Sequence, residues 1–205
     1  MSVETSSGRY VALEGVEGAG KTTLARLLAS ALERAGVPVT LVREPGGTAA
    51  GEQIREVLLG SDSDLGHWTE ALLFAAARSQ LAMEVIGPAL ERGDWVVADR
   101  SVYSSLAYQG AGRALGVETV RVVNAAGLGS VWPDHVVLLR VDPSVGLQRQ
   151  EVADRIGGEG SEFQALVAEE FDRLAAEEPE RFIVVDADSP DLSLQVVLAA
   201  LGVPG

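Results

Sequence analysis

Gly15-Val16-Glu17-Gly18-Ala19-Gly20-Lys21-Thr22 fits the pattern G-x-x-x-x-G-K-[ST], and each residue type in it has its own chemistry toward phosphate. Glycines let the backbone turn tightly and aim its N–H groups inward. Lys21 can reach the β- and γ-phosphates of a triphosphate, and the Thr22 hydroxyl can ligate Mg²⁺. Lys21 is the only lysine beside 15 arginines, a compact ammonium kept where a phosphate pocket needs a point charge rather than a planar fork. Glu17 is unusual in such a loop, because a carboxylate beside a bound triphosphate is unfavourable unless it serves a metal or a hydroxyl. Asp99-Arg100 is a second reactive pair, a carboxylate for a metal and its waters followed by a guanidinium. Phe74 and Arg78 stand four apart, which on a helix puts a flat ring beside a cation on one face.

These residues need elements to hold them. Short apolar, β-branched runs alternate with longer stretches of helical period, the pattern of a parallel sheet flanked by helices. Strands are expected over Tyr10–Glu14, Val39–Arg43, Trp95–Asp99, Val136–Val141 and Phe182–Asp186. Helices are expected over Lys21–Ala35, Gly51–Leu59, Trp68–Arg92, Val117–Ala126, Glu162–Glu177 and Leu192–Leu201. The phosphate motif falls between a strand and a helix, the context its chemistry requires. In open α/β sheets ligands sit beyond the carboxyl ends of the strands, which directs attention to Glu14-Gly15, Arg43-Glu44-Pro45-Gly46-Gly47 and Asp99-Arg100.

A chain of 205 residues, 47% of them hydrophobic, fits one domain over residues 1–205. The amino terminus lacks the apolar stretch of a signal peptide and no run is long enough for a bilayer, so a cytoplasmic enzyme without a membrane partner is expected. The absence of cysteine excludes disulfides, thiolate metal sites and thiol nucleophiles. His67 and His135 stand without ligand-spaced partners. A formal charge of −14 repels polyanions and argues against nucleic-acid polymers as partners, whereas a mononucleotide needs only a local set of donors.

The run Leu13-Glu14-Gly15-Val16-Glu17-Gly18-Ala19-Gly20-Lys21-Thr22-Thr23, then Arg43-Glu44-Pro45-Gly46-Gly47-Thr48, then Phe74 with Arg78, then Asp99-Arg100 and Ala107-Tyr108-Gln109-Gly110 resembles the thymidylate kinases. The likeness is to the bacterial type, whose phosphate loop carries no extra arginine. It covers roughly residues 10–155 and is most specific at R-E-P-G-G-T. The resemblance implies a P-loop nucleoside monophosphate kinase fold with a five-stranded parallel sheet, transfer of the ATP γ-phosphate to dTMP with Mg²⁺, and a homodimer built on the long Trp68–Arg92 helix.

It also implies a role for each matching residue. Gly15, Val16, Glu17, Gly18, Ala19, Gly20, Lys21, Thr22 and Thr23 would hold ATP, with Lys21 and Arg100 stabilising the transferring phosphoryl and Thr22, Asp99 and Glu17 around the metal. Phe74 would stack on thymine, Arg78 would donate to a base carbonyl, and Ser105 and Gln109 would meet the base edge. Tyr108 would crowd a ribose 2′-hydroxyl. Arg43, Glu44 and Arg55 would flank the acceptor, the two arginines near its phosphate, while Glu17 would meet the sugar 3′-hydroxyl and Arg100 the monophosphate. A closing segment over about residues 148–162 would bring Arg149 and Arg155 as further catalytic cations. Family lids are richer in arginine, and the following helix here, Glu162 to Phe171, is acidic and apolar instead. Two other readings stay open at this point: a P-loop kinase of another nucleoside monophosphate or deoxynucleoside, and a non-catalytic ATP-binding paralogue.

Overall fold

The computed structural model describes residues 8–60, 64–148, 159–187 and 189–203. Five strands, β1 (Tyr10–Glu14), β2 (Val39–Arg43), β3 (Trp95–Asp99), β4 (His135–Arg140) and β5 (Phe182–Asp186), form one sheet in the order β2-β3-β1-β4-β5. Every neighbouring pair is parallel. β1 lies at the centre and is buried along its whole length, as its run of apolar residues requires of a strand covered on both faces.

The period of two along each strand divides the core between the faces. Val11, Leu13, Val97, Val137 and Leu139 pack against Leu24, Leu28 and Leu32 of α1 (Lys21–Arg34) and Val197, Leu198 and Leu201 of α9 (Pro190–Leu201). On the opposite face Tyr10, Ala12, Val96 and Ala98 meet Leu81, Ile86 and Ala89, while Val136, Leu138 and Phe182 meet Tyr103, Leu106, Phe171 and Leu174. The even-numbered residues of β1 thus face this second layer. Its last residue, Glu14, belongs to that set.

The remaining helices are α2 (Ala49–Leu59), α3 (His67–Leu81), α4 (Gly87–Glu91), α5 (Val102–Ser105), α6 (Val117–Leu128), α7 (Pro143–Gln148) and α8 (Ser161–Glu177). The helix expected over Trp68–Arg92 is divided: a π-helical turn, Ala82–Ile86, separates α3 from α4. Pro88 has no N–H for an ordinary turn and its ring would crowd the carbonyl four residues back, a conflict that a widened turn relieves. The elements that sequence periodicity does not reveal are α5, α7 and a second π-helical turn, Leu106–Gly112, which carries on directly from α5. Among the described residues no helix is long and apolar enough to cross a membrane.

Candidate active site

The phosphate loop connects β1 to α1 and is shaped by what its glycines must avoid. A Cβ on Gly15, at φ 140°, would stand 2.5 Å from the Leu139 carbonyl oxygen, and one on Gly18 would overlap the backbone carbonyl of Gly146 in α7. α1 starts at Lys21 with Gly20 as its cap and no side chain on its first N–H groups, which leaves them for an anion. Lys21 Nζ donates to the carbonyl oxygens of Gly15 at 3.1 Å and Val16 at 2.7 Å, folded back across its own loop. Burial, reinforced by Arg100, draws the Lys21 ammonium down to a pKa of about 8. Thr22 Oγ1 donates to the Asp99 carboxylate, so the hydroxyl at the start of α1 and the carboxylate at the end of β3 are already together. Among the described residues no group of three or more His, Cys, Asp or Glu could hold a metal ion. The Thr22 and Asp99 oxygens are hard donors, too few for a cage of their own and suited to Mg²⁺ carried in by a triphosphate.

Arg100 follows β3 in the left-handed region, φ 75°, its N–H donating to the Leu13 carbonyl at 3.0 Å. That conformation turns the guanidinium over the mouth of the sheet. Nη2 pairs with Glu17, Nη1 donates to Ser104 Oγ at 3.1 Å, and the group lies 5.2 Å from the centre of the Tyr108 ring. Burial acts against the Arg100 cation but Glu17 outweighs it, which fixes the charge. Glu17 is the converse: burial pushes its carboxyl up, and Arg100 and Lys21 more than reverse this, leaving it below the ordinary carboxylate range. Beneath them, Glu14 accepts from Ser101 N–H (2.7 Å), Ser101 Oγ (2.7 Å), Ser104 N–H (3.1 Å) and Ser104 Oγ (2.6 Å). Burial still raises its pKa against the pull of Arg100 and these donors. Glu14 ties the start of α5 to β1 and so sets where Arg100 and Ser105 stand.

Glu44, joined to Pro45 by a cis peptide, is buried after β2. Its Oε2 accepts from Arg78 Nε at 2.6 Å, and Oε1 has no partner among the described residues. Burial raises its pKa in spite of Arg78. Arg78, 2% exposed, also donates from Nη1 to Ser105 Oγ (3.0 Å) and Asn124 Oδ1 (2.5 Å) and from Nη2 to the Ser101 carbonyl (3.2 Å), so one Nη2 hydrogen remains for another acceptor. Arg43 makes a two-pronged pair with Glu52 at 2.9 and 3.0 Å, both side chains half exposed. Arg55 Nη1 donates to the Pro45 carbonyl at 2.8 Å. The π-helical turn after α5 places Tyr108 and Gln109 beside the partly buried Phe74 of α3. Tyr108 Oη is buried without a partner among the described residues, and burial pushes the phenol pKa up. Gln109 Nε2 donates to Glu70 Oε1 at 2.8 Å.

A cleft of about 560 Å³ collects these groups. At one end lie Glu17, Gly18, Gly20, Lys21, Thr22 and Thr23; at the other Arg43, Glu44, Arg55, Phe74, Ser105, Tyr108 and Gln109; Asp99 and Arg100 stand between. Arg78 is behind the wall of this cleft, with Glu44 and Ser105 in front of it. Gly15 and Val16 line a neighbouring hollow of about 500 Å³, and Ala19 a smaller one with Gly20, Thr23, Ala187 and Pro190. Arg149 and Arg155 lie outside the described residues. Sequence reasoning gave no supporting role to Glu14, although it pointed to that strand end, and passed over Glu70, Ser101, Ser104 and Asn124. Two left a signal: a carboxylate ends an otherwise apolar strand at Glu14, and Glu70 precedes Phe74 and Arg78 at four-residue spacing on the same helix face.

Comparison with known proteins agrees with this arrangement. Residues 13–196 match the family model described as thymidylate kinase. The thymidylate kinase of Deinococcus radiodurans is 44% identical over 198 residues, covering 95% of this chain and 96% of that protein. That of Bifidobacterium longum is 46% identical over 200 residues, with 95% and 96% covered. Among solved structures, thymidylate kinase from Ehrlichia chaffeensis superposes with a TM-score of 0.81 at 29% identity, covering 95% of this chain and 99% of that one.

Proposed function

The chain belongs to the thymidylate kinase family, and from that premise we infer that the cleft takes ATP at the phosphate-loop end and dTMP at the Phe74 end, giving ADP and dTDP. The observation that carries this is one continuous cleft lined by both sets of residues, with Arg100 between them. No protein nucleophile is needed, because phosphoryl transfer asks mainly for positioning and charge. The N–H groups of Gly18, Gly20, Lys21 and Thr22 hold the donor phosphates, and Lys21 turns from its own loop carbonyls to the β- and γ-oxygens. Arg100, kept charged by Glu17, lies where the incoming monophosphate and the transferring group share negative charge. The Glu17 carboxylate remains on hand for a sugar hydroxyl. Thr22 and Asp99, with Glu17 nearby, would hold Mg²⁺ with the donor, and the ion would neutralise charge between the β- and γ-phosphates.

At the acceptor end Phe74 offers its face to the base, Gln109 and Ser105 meet its polar edge with Arg78 bracing Glu44 and Ser105 from behind the cleft wall, and the Tyr108 ring closes the space beside the sugar. Arg43 and Arg55 bring positive charge to the acceptor phosphate, Arg43 by exchanging its exposed pair with Glu52, which costs little at a half-exposed site. On sequence grounds Arg149 and Arg155 complete the cations. The active form is a homodimer in the cytoplasm, supported by the exposed apolar side chains Trp68, Leu72 and Met83 on and just after α3 and Val122 on α6. Incubation with Mg·ATP and dTMP, dUMP, dCMP, AMP or GMP, with ADP release as the readout, tests the reading. ADP is expected fastest with dTMP; release without preference for dTMP, or none with any acceptor, would sink it.

A further inference from the structure

The amide of Gln109 has two faces of opposite hydrogen-bonding character, and its surroundings decide which one a ligand meets. Gln109 is 2% exposed, and its Nε2 donates at 2.8 Å to Oε1 of Glu70, a carboxylate with no exposure at all. An ionised carboxylate only accepts, so it can hold the NH₂ and cannot hold the carbonyl oxygen. Glu70 is in turn fixed by Arg113, whose Nε lies 3.4 Å from Oε1 and Nη2 3.3 Å from Oε2. Arg113 is itself clamped, with Nη2 2.5 Å from Glu159 and its guanidinium 4.7 Å from the centre of the Phe163 ring. With the NH₂ committed to Glu70, the side that Gln109 turns to the cleft beside Phe74 and Tyr108 is Oε1, for which no described residue supplies a donor.

We propose that Glu70 and Arg113 are positioning residues that lock the Gln109 amide with its oxygen toward the base, and so select a pyrimidine whose N3 carries hydrogen over one whose N3 is a bare acceptor. The inference rests on the reading of this cleft as the dTMP site. Thymine and uracil donate from N3–H to such an oxygen; cytosine would set two lone pairs against each other, and the lock prevents the amide from rotating to accommodate it. Gln109 then reads N3, and the orientation in which it reads is set by two residues that do not touch the substrate.

Glu70→Gln keeps the shape and removes the lock, because an amide at position 70 accepts from the Gln109 NH₂ or donates to its oxygen equally well. The measurement is kcat/KM for dTMP, dUMP and dCMP in the wild-type enzyme, Glu70→Gln, Arg113→Met and Arg113→Lys. In Glu70→Gln the ratio of dTMP to dCMP is expected to narrow at least tenfold, mainly through KM, while the ratio of dTMP to dUMP, both with N3–H, stays within about twofold. Arg113→Met shifts the same ratio in the same direction, and Arg113→Lys restores most of it. Should Glu70→Gln fail to fold, as judged by circular dichroism, the arginine pair carries the same test. Equal losses on all three substrates would mean a structural role only and overturn the proposal. A wild-type enzyme inactive on dTMP would instead overturn the assignment of the cleft.

Discussion

Lys21 rests against two carbonyl oxygens of its own loop, in surroundings that bring its pKa to about 8, so near neutral pH it is close to losing the charge its ligand requires. The negative charge of a bound triphosphate would restore that charge. ATP binding at pH 8.5 is therefore expected to take up protons, by up to about one per site, and to weaken as pH rises through the free-enzyme value near 8. Calorimetric titration in two buffers of different ionisation enthalpy measures the uptake, and Lys21→Met should abolish it. The same shift acts on folding: between about 8 and the ordinary 10.5 the unfolded chain holds a proton that the folded one lacks, so this group makes stability rise with pH across that window. At this scale the sequence showed residues whose chemistry faces the cleft and concealed those whose chemistry faces other residues. Lys21, Thr22, Phe74 and Arg100 stand in recognisable patterns. Glu14, Glu70 and Asn124 are polar letters that matter only because tertiary packing buries them against a partner, and a linear pattern does not name the partner.

Among the elements, four of the five strands begin and end at the residues that hydropathy predicts, since a buried parallel strand is written as an unbroken β-branched run; β4 is displaced by one residue at both ends, His135–Arg140 in place of Val136–Val141. The segment Val102–Gly112 was not legible as a helix. Its small residues and two late glycines read as a loop, and its wide π-helical turn has no fixed apolar period to follow. Yet this turn carries both Tyr108 and Gln109 into the cleft. Gly110 lets it do so, because an added Cβ there would stand 2.9 Å from Val117 Cα, where backbone meets backbone. Gly110→Ala is expected to lower stability by about 1–3 kcal/mol. Urea denaturation reads that loss, and steady-state kinetics should show a raised KM for dTMP with the KM for ATP little changed, since α1 and the phosphate loop lie on the far side of the cleft.

For the molecule as a whole, the order β2-β3-β1-β4-β5 puts β1 where the chain's path reverses, and the cleft proposed for both substrates opens at the carboxyl ends of β1, β2 and β3. The proposed dimer belongs to this scale. Light scattering coupled to gel filtration should give about twice the 21.4 kDa of one chain, and Leu72→Arg, a charge on a side chain 53% exposed, should give the monomer with its fold retained. The phosphate loop also reaches across the sheet's carboxyl edge: Gly18 faces Gly146, and a Cβ on Gly146 would in turn press on the Glu17 carbonyl. Two stretches of main chain, 128 residues apart in sequence, are thus in register with no side chain between them. A side chain at Gly146, which belongs to no motif, would therefore displace the phosphate loop as surely as one at Gly18, and the boundary of the motif, drawn by what cannot change independently, runs through α7.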